Sequence, residues 1–436
     1  MTVHFKQDKP DESNRLDDMK QGVIGKALPR LEGLAKVTGT ATYAAEYPID
    51  NCAEGVLVTS TITRGEVTSI DREAALAMPG VIAVIDDPRL TTRAAQGTAD
   101  EAPQQQPKTV CYWGQPIALV VAETFEQARD AAKHLAVEYR EEEGAPLDPD
   151  AVEPEEQEDE TVHQGNLAHA MSEAAHSVDV TYTTRGHASA AMEPHAAIAQ
   201  WDGDKLTVYA SLQMLNYNIS ELADALDMEE DDIRLVSRFV GGGFGSKLGI
   251  SEEAVAASIA AKELGRPVRV VMSRQQVFQC IMRRSETTQR LRLCTDANGT
   301  LTGFGHEALV SNLPGEEFAE PVLQSSHFLY GGENRELMLK VARIHRMTAG
   351  SVRAPGEAVG MPALEAAMDV LAEEVGIDPV ELRLKNIPEK NPEEGLPFSS
   401  HKLAECLRQG AEAFGWDRGP RKPRQTREGE WWVGTG

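Results

Sequence analysis

The sequence predicts an α/β protein of the mixed α+β kind, with a small domain preceding a larger one. Three observations carry this. Strand-like apolar runs alternate with helix-like amphipathic segments along most of the chain. An acidic, proline-bearing stretch, "EEEGAPLDPDAVEPEEQEDE" from Glu141 to Glu160, interrupts that alternation. A cluster of glycines, "RFVGGGFGSKLG" from Arg238 to Gly249, stands between a strand-like and a helix-like segment. The chain has 436 residues, enough for about two or three domains with buried cores.

Residues 1–20 are polar and read as a disordered lead-in. Residues 21–143 form the small domain. There "SIDREAALAMPG" is a short helix closed by Pro79-Gly80, and "VIAVIDD" is a strand. "PIALVVA" is a continuous apolar run, so it predicts a strand buried on both faces. "TFEQARDAAKHLAVEY" is a helix capped by Thr124, burying Phe125, Ala128, Ala132 and Leu135. Residues 144–161 read as a solvated acidic linker. Residues 162–405 form the larger domain. Its strands are "SVDVTYTT", "KLTVYAS", "DIRLVSRFV" running into the glycines, and "VRVVMSR". Its helices are "NISELADALDM", "SEEAVAASIAAKELGRP" capped by Ser251 and ended at Gly265, and "PALEAAMDVLAEEVG". The last opens with Pro362 in its first turn, buries Leu364, Met368, Leu371 and Val375, and stops at Gly376. Residues 406–436 read as the start of a further domain.

The formal net charge is −26, which opposes binding to nucleic acid and to anionic membranes. The five cysteines, Cys52, Cys111, Cys280, Cys294 and Cys406, contain no C-x-x-C pair. That argues against a zinc ribbon, an iron–sulfur cluster or a disulfide framework, and they read as reduced, inert core thiols. The N-terminal residues lack the apolar core of a signal peptide, and no apolar run reaches membrane-spanning length. A cytoplasmic location is expected, or a periplasmic one reached with a signal-bearing partner.

The glycine cluster leaves several readings open. A phosphate-binding P-loop needs Gly directly before Lys, and here Ser246 precedes Lys247. A dinucleotide fingerprint would use Gly241 and Gly243, but Ser246 occupies its third glycine position. A tight turn without a ligand is the bland alternative. Lys247 and the loop's backbone N–H groups would suit an anion or a cofactor, though Lys247 equally suits a solvated surface.

"VGGGFGSK" is similar to the glycine–phenylalanine loop of the xanthine dehydrogenase and aldehyde oxidase family, the molybdenum hydroxylases. Four further segments agree in the family's order. "GKALPRLEGLAKVTGTATYAAE" resembles the entry to its hammerhead domain, and "GQPIALVVAETFEQARDAA" that domain's central strand and helix. "AMEPHAAIAQWDGDKLTVYASLQM" resembles the opening of its first molybdenum-cofactor-binding domain. "SVRAPGEAVGMPALEAAMDVLAEEVGIDPVELRLKN" resembles the segment with a cofactor-contacting arginine. Within the family the likeness is to the bacterial periplasmic aldehyde oxidase type.

The resemblance implies roles for individual residues. Gln213 matches a glutamine that hydrogen-bonds the apical oxygen on molybdenum. Gly242, Gly243, Phe244 and Gly245 match the loop that approaches the cofactor, and Arg353 matches an arginine beside it. No residue here is expected to ligate the metal directly. Glu193 and His195, in "MEPH", match a recurrent pair near the domain junction and are expected to pin a turn. Leu248 stands where xanthine-type members often have Glu, which points from purines to aldehydes.

The implied cofactor is molybdopterin, plain or as the cytosine dinucleotide, with molybdenum. Iron–sulfur and FAD centres are expected on partner subunits. The implied reaction is metal-assisted oxidation of small aldehydes, aromatic ones favoured, to carboxylic acids. Family large subunits are longer than this chain. The resemblance therefore implies that a second cofactor-binding half, with the general base, comes from another polypeptide, and that no catalytic residue lies here. A truncated, inactive fragment or a partner-binding scaffold is the alternative.

Overall fold

The computed structural model describes residues 26–90, 108–416 and 426–434. The predicted lead-in over residues 1–20 lies outside them. A seven-stranded sheet forms the backbone of the first half. Its strands run in the order Ile233–Val236, Lys205–Ala210, Ala196–Asp202, Val268–Val271, Ala53–Thr59, Pro116–Ala122 and Val81–Ile85. The first four come from the larger region and the last three from the smaller one. They join where Ala53–Thr59 pairs in parallel with Val268–Val271, Ala53 opposite Val268 and Gly55 opposite Val270. A Cβ on Gly55 would come within 2.8 Å of the Val270 side chain, so glycine lets the two strands meet. One core serves both regions: Leu57, Leu119 and Val121 pack in the same cluster as Val208, Val268 and Ala256.

All seven residues of Pro116–Ala122 are buried, as the unbroken apolar run requires. The following helix, Phe125–His134, carries a capping box between Thr124 and Gln127. It ends earlier than the sequence pattern implies, because Val137–Glu141 leaves it to pair with Gly65–Ile70. Ala128 and Ala131 are its buried residues, with Phe125 and Ala132 half-buried.

A second sheet takes the order Glu155–Glu156, Asn334–Arg343, Leu301–Asn312, Thr287–Thr295 and His176–Thr184, with Val162–Gln164 also on Asn334–Arg343. The helix Glu357–Val375 covers it, burying Leu364, Met368 and Leu371 against Leu291, Phe304 and Leu339. Two expectations change here. The helix begins at Glu357, so Pro362 sits inside it and not in its first turn. Proline there removes one intrahelical hydrogen bond, a cost that the apolar face of the helix offsets by burial. The acidic stretch is also more than a solvated linker. Glu155 and Glu156 pair by backbone with Val341 and Lys340, and the Gln157 amide donates to the Leu339 carbonyl at 2.8 Å. Their side chains remain exposed, which is why composition alone reads as linker.

The strand Ile233–Val236 stops short of the glycines, and residues 237–249 form an irregular loop before the helix Glu252–Leu264. Ser251 precedes that helix, but its hydroxyl donates to Glu253 Oε1 at 3.0 Å and makes no cap bond. Cys280 and Cys294 are buried thiols, Cys52 and Cys111 half-buried, and Cys406 is exposed, so it is no core residue.

Candidate functional site

The glycine loop is shaped first by its own protein neighbours. A side chain on Gly241 would strike Glu193, one on Gly243 the Gln213 carboxamide, and one on Gly245 the Ser351 carbonyl. Gly242 and Gly245 have φ of +98° and +97°, backbone that glycine adopts without strain. Three non-glycine residues at the site share the left-handed region: Ala190 (+47°), Phe244 (+54°) and Ala354 (+55°). Each costs on the order of 1–2 kcal/mol, so the surrounding contacts must hold them.

Beneath the loop lies a buried ion pair. Lys247 is fully buried, which overturns both the solvated and the phosphate-touching readings of this lysine. All three of its N–H bonds are used: on Glu193 Oε2 (3.0 Å), the Glu193 carbonyl (3.1 Å) and Ser211 Oγ (3.0 Å). The same Glu193 oxygen accepts from Ser211 Oγ and from the Gly241 amide, both at 2.6 Å. Glu193 Oε1 is buried and finds no partner among the described residues. Burial pushes the Lys247 ammonium below its ordinary value, and Glu193 opposes that shift. The cluster ties both ends of the loop, Gly241 through its amide and Lys247 through its side chain, to the turn at Glu193. His195 completes the pinning, its Nε2 donating to the Ser246 carbonyl at 2.8 Å. Burial lowers its imidazole to about 4, so it stays neutral. Glu193 and His195 thus act on the turn and the loop, three donors meeting on the one Glu193 oxygen.

Above the loop stand the predicted site residues. Gln213 is exposed; its amide N–H donates to the Lys247 carbonyl at 2.8 Å, and its Oε1 accepts from the Gly245 amide at 3.1 Å. With the carbonyl oxygen engaged, the NH2 is its available donor. The Arg353 amide donates to the Phe244 carbonyl at 2.9 Å, which brings the two segments together. The Arg353 side chain is exposed and has no carboxylate partner among the described residues. The amides of Gly242, Gly243 and Phe244 likewise find no acceptor among the described residues. The structure therefore gathers Gln213, Gly242, Gly243, Phe244, Gly245 and Arg353 in one place. Among the described residues, no group of three His, Cys, Asp or Glu side chains could hold a metal ion.

Sequence reasoning missed Ser211 and the pair Arg284–Glu320, which lies under residues 352–356. Ser211 carries no motif signal beyond its place two residues before Gln213. Arg284 and Glu320 are 36 residues apart in sequence, and only the fold joins them.

Comparison with known proteins fits this geometry. A model of the molybdopterin cofactor-binding domain matches residues 150–387, and one of the aldehyde oxidase and xanthine dehydrogenase a/b hammerhead domain matches residues 38–143. The aldehyde oxidoreductase molybdenum-binding subunit PaoC of Escherichia coli (strain K12) is 41% identical over 442 residues, covering 99% of this chain and 59% of its own length. The xanthine dehydrogenase molybdenum-binding subunit of Escherichia coli O157:H7 is 28% identical, covering 89% of this chain and 56% of its own. This chain thus spans under two thirds of these relatives' length. Aldehyde oxidoreductase from Desulfovibrio gigas superposes with a TM-score of 0.78 at 25% identity, over 89% of this chain and 46% of that one. Quinoline 2-oxidoreductase from Pseudomonas putida 86 shares the fold, with a TM-score of 0.80 at 21% identity, over 90% of this chain and 54% of that one. The matches over residues 38–143 and 150–387 show that this chain belongs to the aldehyde oxidase and xanthine dehydrogenase family and carries its hammerhead and molybdopterin cofactor-binding domains.

Proposed function

We propose that this chain is the cofactor-binding portion of an aldehyde-oxidising molybdenum hydroxylase, converting small aldehydes, aromatic ones included, to carboxylic acids. One observation carries the reading. Among the described residues, three loop amides and the Gln213 NH2 have no acceptor, and they meet at a loop to which the backbone of Arg353, an exposed arginine with no carboxylate partner among those residues, is bonded. That donor set, with Glu193 neutralised by Lys247 below it, fits an anionic, phosphate-bearing cofactor. A bound molybdenum cofactor supplies the oxygen-transfer and two-electron chemistry. The chain's own residues bind and orient it. Gln213 donates to an acceptor on the cofactor, the Gly242–Phe244 amides line its approach, and Arg353 neutralises its charge.

The general base is assigned to the part of the longer relatives that this chain does not span. Iron–sulfur and FAD subunits are the proposed electron acceptors, and no nucleic acid or membrane partner is invoked. No helix of the described residues is long and apolar enough to cross a membrane.

The test is metal and pterin analysis of the chain purified from its host with whatever co-purifies. About one molybdenum and one molybdopterin per chain are expected, and released CMP would identify the dinucleotide form. Arg353→Ala should lower both contents. Wild-type protein with neither molybdenum nor molybdopterin would sink the proposal.

A further inference from the structure

The segment 352–356 has an unusual support. Arg284 and Glu320 are both buried, at 2% and 0% exposure. The Arg284 guanidinium reaches three successive carbonyls: Val352 at 2.8 Å, Arg353, and Ala354 at 3.4 Å. The same guanidinium pairs with Glu320 Oε1, and that oxygen also accepts from the Gly356 amide at 2.7 Å. Three consecutive carbonyls can face one cation only if the backbone turns sharply between them. Ala354, with φ of +55°, makes that turn, and Gly356, at +78°, closes it against the Pro321 carbonyl. The planar, five-donor fork of arginine suits this task, and a lysine ammonium could not span it. Glu320 keeps the buried cation paired. The supported turn carries Arg353, whose amide is fixed to Phe244 of the glycine loop.

We propose that Arg284 and Glu320 are positioning residues: they hold the strained turn that presents the Arg353 guanidinium beside the glycine loop for capture of the phosphate-bearing cofactor. The proposal rests on the cofactor-binding reading above. Neither residue touches the cofactor in this account, and both act through Arg353.

A double-mutant cycle tests it. Wild type, Arg353→Ala, Glu320→Gln and the double variant are purified from the host with their co-purifying chains. The release rate of molybdopterin is followed through its fluorescent oxidation product. Arg353→Ala is expected to speed release about tenfold or more. Glu320→Gln should give a comparable acceleration. In the Arg353→Ala background, Glu320→Gln should add less than about twofold, while its effect on melting temperature persists in both backgrounds. Multiplying effects on release would mean a generally structural role and overturn the proposal. Arg284→Lys keeps charge and loses the fork, so it serves if Glu320→Gln does not fold; release at the wild-type rate would also overturn it. Hydrogen exchange reads the turn without the cofactor: the Arg353 and Gly356 amides should be protected in wild type and lose protection in either variant. Rapid exchange at both amides in wild type would refute the tie itself. Wild-type protein lacking molybdopterin would instead fail the functional reading, and the exchange experiment would still decide whether the tie exists.

Discussion

Acid should weaken this fold through two buried histidines, and the size of the effect follows from their surroundings. His306 is fully buried in the second sheet, its Nδ1 2.8 Å from Ser326 Oγ and its Nε2 3.2 Å from Gln289 Oε1. Burial, with His327 nearby, lowers its imidazole from 6.5 to about 3. His195 falls to about 4 for the same first reason, burial. Between the folded and unfolded values, the unfolded chain binds the proton and the folded chain does not. Stability is therefore full above about 6.5 and falls as pH drops through that value. From pH 7.5 to 5, each histidine contributes a loss of about 2 kcal/mol. Glu253 works in the opposite sense. Burial raises its carboxyl to about 7, so the folded chain holds a proton that the unfolded one has lost, and acidification restores about 2 kcal/mol. The net slope thus blurs the causes, and a variant separates them. His306→Gln keeps a donor and an acceptor for Ser326 and Gln289 but cannot be protonated. Urea unfolding of both proteins at the two pH values should show the variant losing about 2 kcal/mol less than wild type. Equal losses would refute the claim that His306 is buried neutral.

Two further perturbations address the loop. Lys247→Met leaves the Glu193 carboxylate buried without its cation, and should cost about 3–5 kcal/mol in unfolding free energy. Adding Glu193→Gln should recover part of that loss, and no recovery would argue against a coupled pair. Gly245→Ala forces a Cβ into the Ser351 carbonyl at a φ of +97°, so a cost above about 2 kcal/mol is expected, read as a lowered melting temperature. A neutral Gly245→Ala would mean that the loop and the Ser351 segment are not in contact.

Much of the fold was legible because local pattern and burial agree. The run "PIALVVA" is a strand buried along its whole length, Thr124 caps its helix, and Gly265 and Gly376 end theirs in the left-handed conformation. Gln213, Phe244 and Arg353 stand in motifs contiguous in sequence, and the fold brings those motifs together. Where the outcome is set by backbone pairing, composition misled. Glu155 and Glu156 expose acidic side chains while their backbone joins a sheet. Pro362 was read as a helix start, but burial of one long apolar face extends that helix five residues earlier, to Glu357.

The mixed α/β class, the order of most strands and helices, the family and the place of the glycine loop could all be read along the chain. Each of these rests on neighbours along the chain: apolar periodicity, caps, and a glycine run whose residues stand side by side. Long-range packing, by contrast, sets that both regions share one sheet, that Lys247 is an interior cation tied to Glu193, and that Arg284 and Glu320 stand under the Arg353 turn. The reason is physical. A charged side chain carries the same local signal at the surface and in the core. Its fate depends on whether a partner 54 residues away, as Glu193 is from Lys247, arrives to make burial of the charge tolerable.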